Sequence, residues 1–197
     1  MIPVQFVLLG AAFNLVGLTS YVADTLRGRN RPNRVTWFLW ALAPLIAFAA
    51  ELGQGVGLQS LMTFMVGFGP AVVLGASFVS RHGAVRVTRF DLVCGVLSLV
   101  ALVMWRVTGR GDVAIAFSVA ADLLAGVPTI AKAYRDPDSE SWPAFACSGV
   151  SAAITLLTIT TWTFAAAAFP VYILCVATLL TVLIRFPTLR LRAPVPG

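Results

Sequence analysis

Residues 121–142 read ADLLAGVPTIAKAYRDPDSESW, and the organisation of the whole chain can be worked out from them. An acid, Asp122, stands inside an apolar run. Pro128 follows, then Lys132, which is the only lysine of the chain, then a basic exit at Arg135 and a polar turn. Residues 13–37, FNLVGLTSYVADTLRGRNRPNRVTW, repeat the design. An offset of 108 sets Asn14 on Asp122, Leu15 on Leu123, Ala23 on Ala131 and Arg27 on Arg135. Past that arginine the first copy holds three extra residues, so Trp37 meets Trp142 at an offset of 105. A helix exit repeated at this separation implies a chain of two similar halves.

Composition says where such halves would sit. The 197 residues are 59% hydrophobic and 11% charged, with a mean hydropathy of +0.90. Soluble domains carry about 25% charged residues, so this chain has too little polar material to cover a water-facing surface. An integral membrane protein is expected. The net charge of +6 comes from arginines in short blocks between apolar runs. That pattern sets orientation in a bilayer, and no nucleic-acid partner is expected from it. Cys94, Cys147 and Cys175 all fall in apolar segments without a CxxC spacing, which suggests neither a disulfide framework nor a zinc site. They read as small buried hydrophobes, and no metal or cofactor is expected. The opening MIPVQFVLLG lacks the basic start of a secretory signal, so a retained first span entering from outside is expected.

A helical span needs about 20 mostly apolar residues, because lipid offers no partner to free backbone groups. Residues 2–25, 35–52, 59–80, 88–107 and 112–134 supply five, the second closing near Glu51. In the third, Gly67, Ala71 and Gly75 fall four apart, a spacing that lets a neighbouring backbone come close. The fourth carries Asp91 and Arg106 near its ends, where they could snorkel to the interfaces. From Ser141 to Ile184 there is no charge, enough for two more spans, with a turn expected around Pro170. Alternate connections hold Arg27, Arg29, Arg31 and Arg34, then Arg81, Arg86 and Arg89, then Lys132 and Arg135, then Arg185, Arg190 and Arg192. Only Arg106 and Arg110 fall on the other side. The positive-inside rule then puts the amino terminus outside and the carboxyl terminus in the cytoplasm.

The fold expected is all-α: a polytopic membrane protein of seven transmembrane helices. Residues 1–82 form a first three-helix repeat, residues 83–110 a linker helix, and residues 111–197 a second three-helix repeat with a short cytoplasmic tail. The odd linker gives the second repeat the orientation of the first, so the two are parallel repeats about an axis along the membrane normal. This three-plus-one-plus-three plan, with VPTIAKAYRDPDSESW and more faintly TSYVADTLRGRNRPNRVTW, resembles the PQ-loop superfamily, whose seven-helix members are SWEET-type sugar transporters. The family's Pro-Gln pair reads Pro128-Thr129 in one half and Ser20-Tyr21 in the other. Pro44 is kept in the second span, where the sixth has Gly149, and the asparagines that such transporters use in the third and seventh spans are absent. The resemblance implies a carrier working by alternating access in a bacterial inner (plasma) membrane.

Asp122 and Asn14 are the candidate solute or proton site. An ionised carboxylate at mid-bilayer costs about 3 kcal/mol on insertion scales, so Asp122 should face the bundle interior, either carrying a proton or tying helices together. Asn14 stands at the equivalent depth, facing the same cavity or making an interhelical hydrogen bond. Asp24 and Lys132, equivalent and opposite in charge, could pair as a cytoplasmic gate or snorkel apart. Pro44, Pro70 and Pro128 lie inside spans, and Pro44 and Pro128 are candidate hinges. Trp37, Trp40 and Trp142 are expected in one aromatic belt, with stacking on a substrate as the alternative, and Trp162 and Tyr172 in the other belt. Ser148, Ser151, Thr155 and Thr158 share one face, which would either line a path or bond to its own backbone.

Several chemistries have no visible machinery. Lys132 ends the fifth span, not the last, so a retinal Schiff base is not expected. His82 is alone, which leaves no paired haem ligands, and neither HExxH nor GxSxG occurs. The chain is read as a carrier of a small solute, a sugar or another small polar or organic molecule, with proton coupling through Asp122 in view, and not as an enzyme. The alternative is a non-transporting membrane receptor or assembly subunit of the same fold. The expected partners are the lipid bilayer and the solute, with a homo-oligomer left open.

Overall fold

The computed structural model describes residues 2–30, 32–80 and 110–186, with scattered positions between 88 and 108. The bulk of the expected linker span, and with it Arg81, His82, Arg86, Asp91, Cys94 and Arg106, lies outside the described residues, as do Arg31, Arg190 and Arg192.

Among the described residues six α-helices are delimited: α1 (Phe6–Leu26), α2 (Arg34–Gly53), α3 (Ser60–Val79), α4 (Gly111–Arg135), α5 (Trp142–Thr158) and α6 (Phe164–Arg185). No strand occurs among the described residues. Five of these stretches are long and apolar enough to cross a membrane, while Trp142–Thr158 is shorter. Their outward faces carry large hydrophobics that no protein covers, such as Leu8, Val16, Phe78 and Leu157, as lipid-facing helices should. The chain is a helical membrane protein.

Sequence fixes the helix ends. Gly28 has φ 74°, a value that side chains resist, and it turns the chain out of α1. Asn33 caps α2: its Oδ1 accepts from the N–H groups of Val35 and Thr36 at 3.0 and 3.3 Å. One turn of 3-10 helix, Pro137–Ser139, joins α4 to α5. Thr163 caps α6 by accepting from the Ala166 N–H at 3.2 Å. The turn between α5 and α6 therefore falls at residues 159–163, ahead of the position expected around Pro170. Pro170 is buried inside α6. Within a bundle one lost N–H is tolerated because neighbouring groups satisfy the freed carbonyl, whereas the threonine at the head of α6 supplies a cap. Pro44, Pro70 and Pro128 likewise sit inside uninterrupted helices.

Neighbour relations close a ring. α3 packs against both α1 and α2, α6 packs against both α4 and α5, and the remaining seams join α1 to α5 and α2 to α4. The α1–α5 seam is tight because Gly17 has no side chain: a Cβ there would stand 2.9 Å from Cys147 Cβ and 3.1 Å from Ala144 Cα. The expected small-residue stripe on α3 is used only at Gly67, which meets Leu45 and the Ala41 carbonyl of α2. Ala71 and Gly75 are exposed, because the helix turns that part of the stripe away from α2.

Apolar packing concentrates at two levels. Tyr21, Trp37, Trp40, Val73, Phe145 and Leu180 belong to a cluster toward the end of the bundle that holds Arg34, Lys132 and Arg185, here called the basic end. Ala47, Met62, Ala152, Phe169 and Ile173 form a second cluster toward the opposite end.

Candidate functional site

All six helices contribute to one cavity of about 100 Å³ near the centre of the ring. Asn14 from α1 and Asp122 from α4 both line it, with Ser148 from α5 and aromatic walls from Tyr21, Trp37, Trp40 and Phe145. Each reaches the interior through helical periodicity. Asp122 shares its face of α4 with Ser118, Ala125 and Thr129, all buried. Asn14 shares its face of α1 with Gly10, Gly17 and Tyr21.

Asp122 is 3% exposed, and its two oxygens are treated differently. Oδ2 accepts from the Tyr172 hydroxyl at 2.7 Å, while Oδ1 is buried with no hydrogen-bond partner. The backbone is held too: the Trp40 indole N–H donates to the Asp122 carbonyl at 3.0 Å. That contact seats Trp40 against Gly126, where a Cβ would meet the indole ring at 3.1 Å. Asn14 is satisfied by comparison. Its Oδ1 accepts from Ser148 Oγ at 3.0 Å, and its Nδ2 reaches the Gly10 carbonyl at 3.5 Å. The polar face of α5 thus divides. Ser148 serves the cavity, whereas Thr155 and Thr158 donate to carbonyls of their own helix, at 3.0 and 2.7 Å.

The aromatic residues depart from the belt expectation. Trp37 and Trp40 are 5% and 7% exposed and face the cavity, not the lipid. Tyr21 lies tilted against Trp37 with ring centroids 4.6 Å apart, Trp37 lies edge-on to Trp40 at 5.5 Å, and Phe145 meets Tyr21 and Trp40 at 6.4 Å each. Tyr172 points at Asp122 instead of an interface. Trp142 and Trp162 remain exposed, as a belt requires. For Trp37, Trp40 and Tyr172 the belt reading failed because distance from a helix end says nothing about which way a ring faces.

Asp24 and Lys132 take other partners than each other. Lys132 Nζ donates to Glu140 Oε1 at 2.9 Å, while Asp24 accepts from Ser141 Oγ at 2.9 Å and pairs with Arg29 at 3.6 Å. Glu140 also accepts from the Tyr21 hydroxyl at 2.7 Å, and Asn30 Nδ2 donates to the Tyr21 carbonyl at 3.3 Å. The basic end is therefore tied by a network centred on Glu140, which links α1 to the α4–α5 connection. Sequence reasoning passed over Glu140 because it lies in a polar turn, where solvated acids are common. Its signal was position, one residue before Ser141 and the uncharged stretch.

A second acid sits away from the cavity. Glu51 is 1% exposed near the end of α2, where its Oε1 accepts from Thr63 Oγ1 at 3.0 Å and its Oε2 lacks a partner. Pro44 is buried between Trp40 and Ala47 on the inward face of α2, and Pro128 lies one turn beyond Leu124 on α4. Among the described residues no cluster of three His, Cys, Asp or Glu side chains could hold a metal ion.

Comparison with protein-family models, with curated proteins and with solved structures returns no match. The chemistry of the site rests on its own residues.

Proposed function

We propose that this protein is a PQ-loop-like carrier that moves a small solute across a bacterial inner membrane by alternating access. The observation that carries the reading is the central cavity, lined from all six helices and holding Asn14 and Asp122 together. A carrier must keep a site for its solute near the bilayer midplane, between its halves, whereas an assembly subunit has no need of one.

Two further observations support a two-half construction. Exchanging α1 with α4, α2 with α5 and α3 with α6 returns the same set of packed neighbours. The α3 lining residues Val66, Gly69, Pro70 and Val73 match the α6 lining residues Ile173, Val176, Ala177 and Leu180 at an offset of 107, between the 105 and 108 of the other helices. Two three-helix repeats joined by a linker helix, with the amino terminus outside and the carboxyl terminus cytoplasmic, fit this pattern and the distribution of arginines.

In this reading the solute sits between the halves. The aromatic cluster and the Glu140 network close the cytoplasmic side, and the Met62–Phe169 cluster closes the other. Rocking one half against the other opens one seal while keeping the second, with Pro44 and Pro128 as the places where α2 and α4 give. Asp122 carries the proton when transport is coupled. The protein makes and breaks no covalent bond in this cycle and is not an enzyme.

Flux into proteoliposomes tests it, using a labelled panel of small sugars, amino acids and amines with and without a pH gradient. The expected result is saturable uptake of at least one class above protein-free vesicles. Uptake of none would overturn the carrier reading. An Asp122→Asn protein that transports at full rate with unchanged pH dependence would remove the coupling.

A further inference from the structure

Resting on the carrier reading, we propose that the solute is a small organic ammonium ion, held with its nitrogen on Asp122 Oδ1 and its body against Trp40, Trp37 and Phe145. The argument begins with what the cavity has left to offer. Tyr172 occupies one Asp122 oxygen, Trp40 spends its N–H on the Asp122 carbonyl, Tyr21 spends its hydroxyl on Glu140, and Ser148 spends its own on Asn14. Among the buried lining side chains, Asp122 Oδ1 is the acceptor left without a hydrogen-bond partner, while the Trp37 indole N–H lies against the Tyr21 hydroxyl. A buried acceptor without a donor is expensive, and the cheapest ligand for it brings an N–H and a positive charge together.

The walls agree with that charge. Trp40, Trp37 and Phe145 line the same cavity as Asp122, and an aromatic face attracts a cation more strongly where water is excluded. A sugar is poorly served, because its several hydroxyls need donors and acceptors that the lining has already committed. An anion is worse served: no Lys or Arg lines the cavity, and Lys132 is engaged with Glu140. Size narrows the choice further, since about 100 Å³ lies well below the roughly 300–1,000 Å³ of pockets for drug-sized ligands.

One carboxylate then serves two cations. With Oδ1 ionised it holds the ammonium; with a proton on it the ammonium has no partner. Solute and proton exclude each other at a single atom, which gives exchange of one for the other without a second site. The other titratable groups that face Asp122 or its cavity are Tyr172 from α6 and Tyr21 from α1, and α2 brings Trp40 there. Glu51 on α2 lies outside the lining, engaged with Thr63.

The test is calorimetric titration of the purified full chain with isobutylammonium, isobutanol and isobutyrate, which share a shape and differ in charge. The ammonium is expected to bind about tenfold or more tightly than either of the others. Its affinity should fall on acidification and drop by a similar factor in Asp122→Asn. Equal or tighter binding of isobutanol or isobutyrate by the wild-type chain would overturn the inference, as would binding of none of the three. This comparison needs no variant to fold. Saturable flux of a sugar or neutral amino acid, alongside failure of the ammonium to bind, would sink this inference and leave the carrier standing.

Discussion

The cavity has two polar corners, set at matching positions of the two halves, and they are finished differently. At Asn14 the amide oxygen accepts from Ser148 and the corner is complete. At Asp122 a charge-bearing group is anchored through Tyr172 and the backbone contact to Trp40, yet one oxygen is left without a partner. A pair of asparagines would have made a structural tie on each side. Replacing one by an acid and withholding a donor gives up stability, which is what a site reserved for something else looks like.

Breaking the Asp122 corner should have the largest effect. Asp122→Asn keeps the shape and removes the charge, and transport should fall by about tenfold or more, the worth of a buried charge-assisted hydrogen bond. Flux assays on protein of wild-type melting temperature check it. Next comes the network beneath the cavity. Glu140→Ala strips Lys132 of its buried partner and leaves the Tyr21 hydroxyl without an acceptor, at a cost of about 3 kcal/mol or more. A drop in thermal stability in detergent reads it out, and a neutral result would remove Glu140 from the closure of the basic end.

Gly17→Ala tests the seam that brings the Asn14 corner against α5. The new methyl would overlap Cys147 and Ala144, and overpacking should cost about 1–3 kcal/mol. The smallest effect belongs to the complete corner itself. Ser148→Ala removes one donor to Asn14, worth about 0.6 kcal/mol in membrane interiors, and should leave transport near the wild-type rate. A loss at Ser148 as large as that at Asp122 would dissolve the distinction between the corners.

Much of this was legible in the sequence, and the reason differs by element. Spans announce themselves by composition, because lipid forbids exposed backbone, so α1 to α4 matched their expected bounds closely. The exception was the boundary between α5 and α6: Pro170 looked like a stop, but a bundle tolerates proline inside a helix, and Thr163 supplied the true start. Asp122 and Asn14 could be picked out because a polar residue in an apolar run is rare and costly. Their partners could not. Tyr172 and Trp40 are amphipathic, and nothing in a single chain tells an aromatic that faces lipid from one that faces a cavity. Asp24 and Lys132 match by offset, but Lys132 bonds to Glu140 and Asp24 to Ser141, through three-dimensional proximity that no offset encodes.

The most direct measurement of the central claim is two-sided access to the cavity. In a chain freed of its native cysteines, Ser148→Cys puts a thiol on the cavity wall beside Asn14. A membrane-impermeant thiol reagent should label it when added from either face of the bilayer, and a bound solute should slow both reactions. A thiol that reacts from neither face, or from one face only whatever the solute, would contradict alternating access.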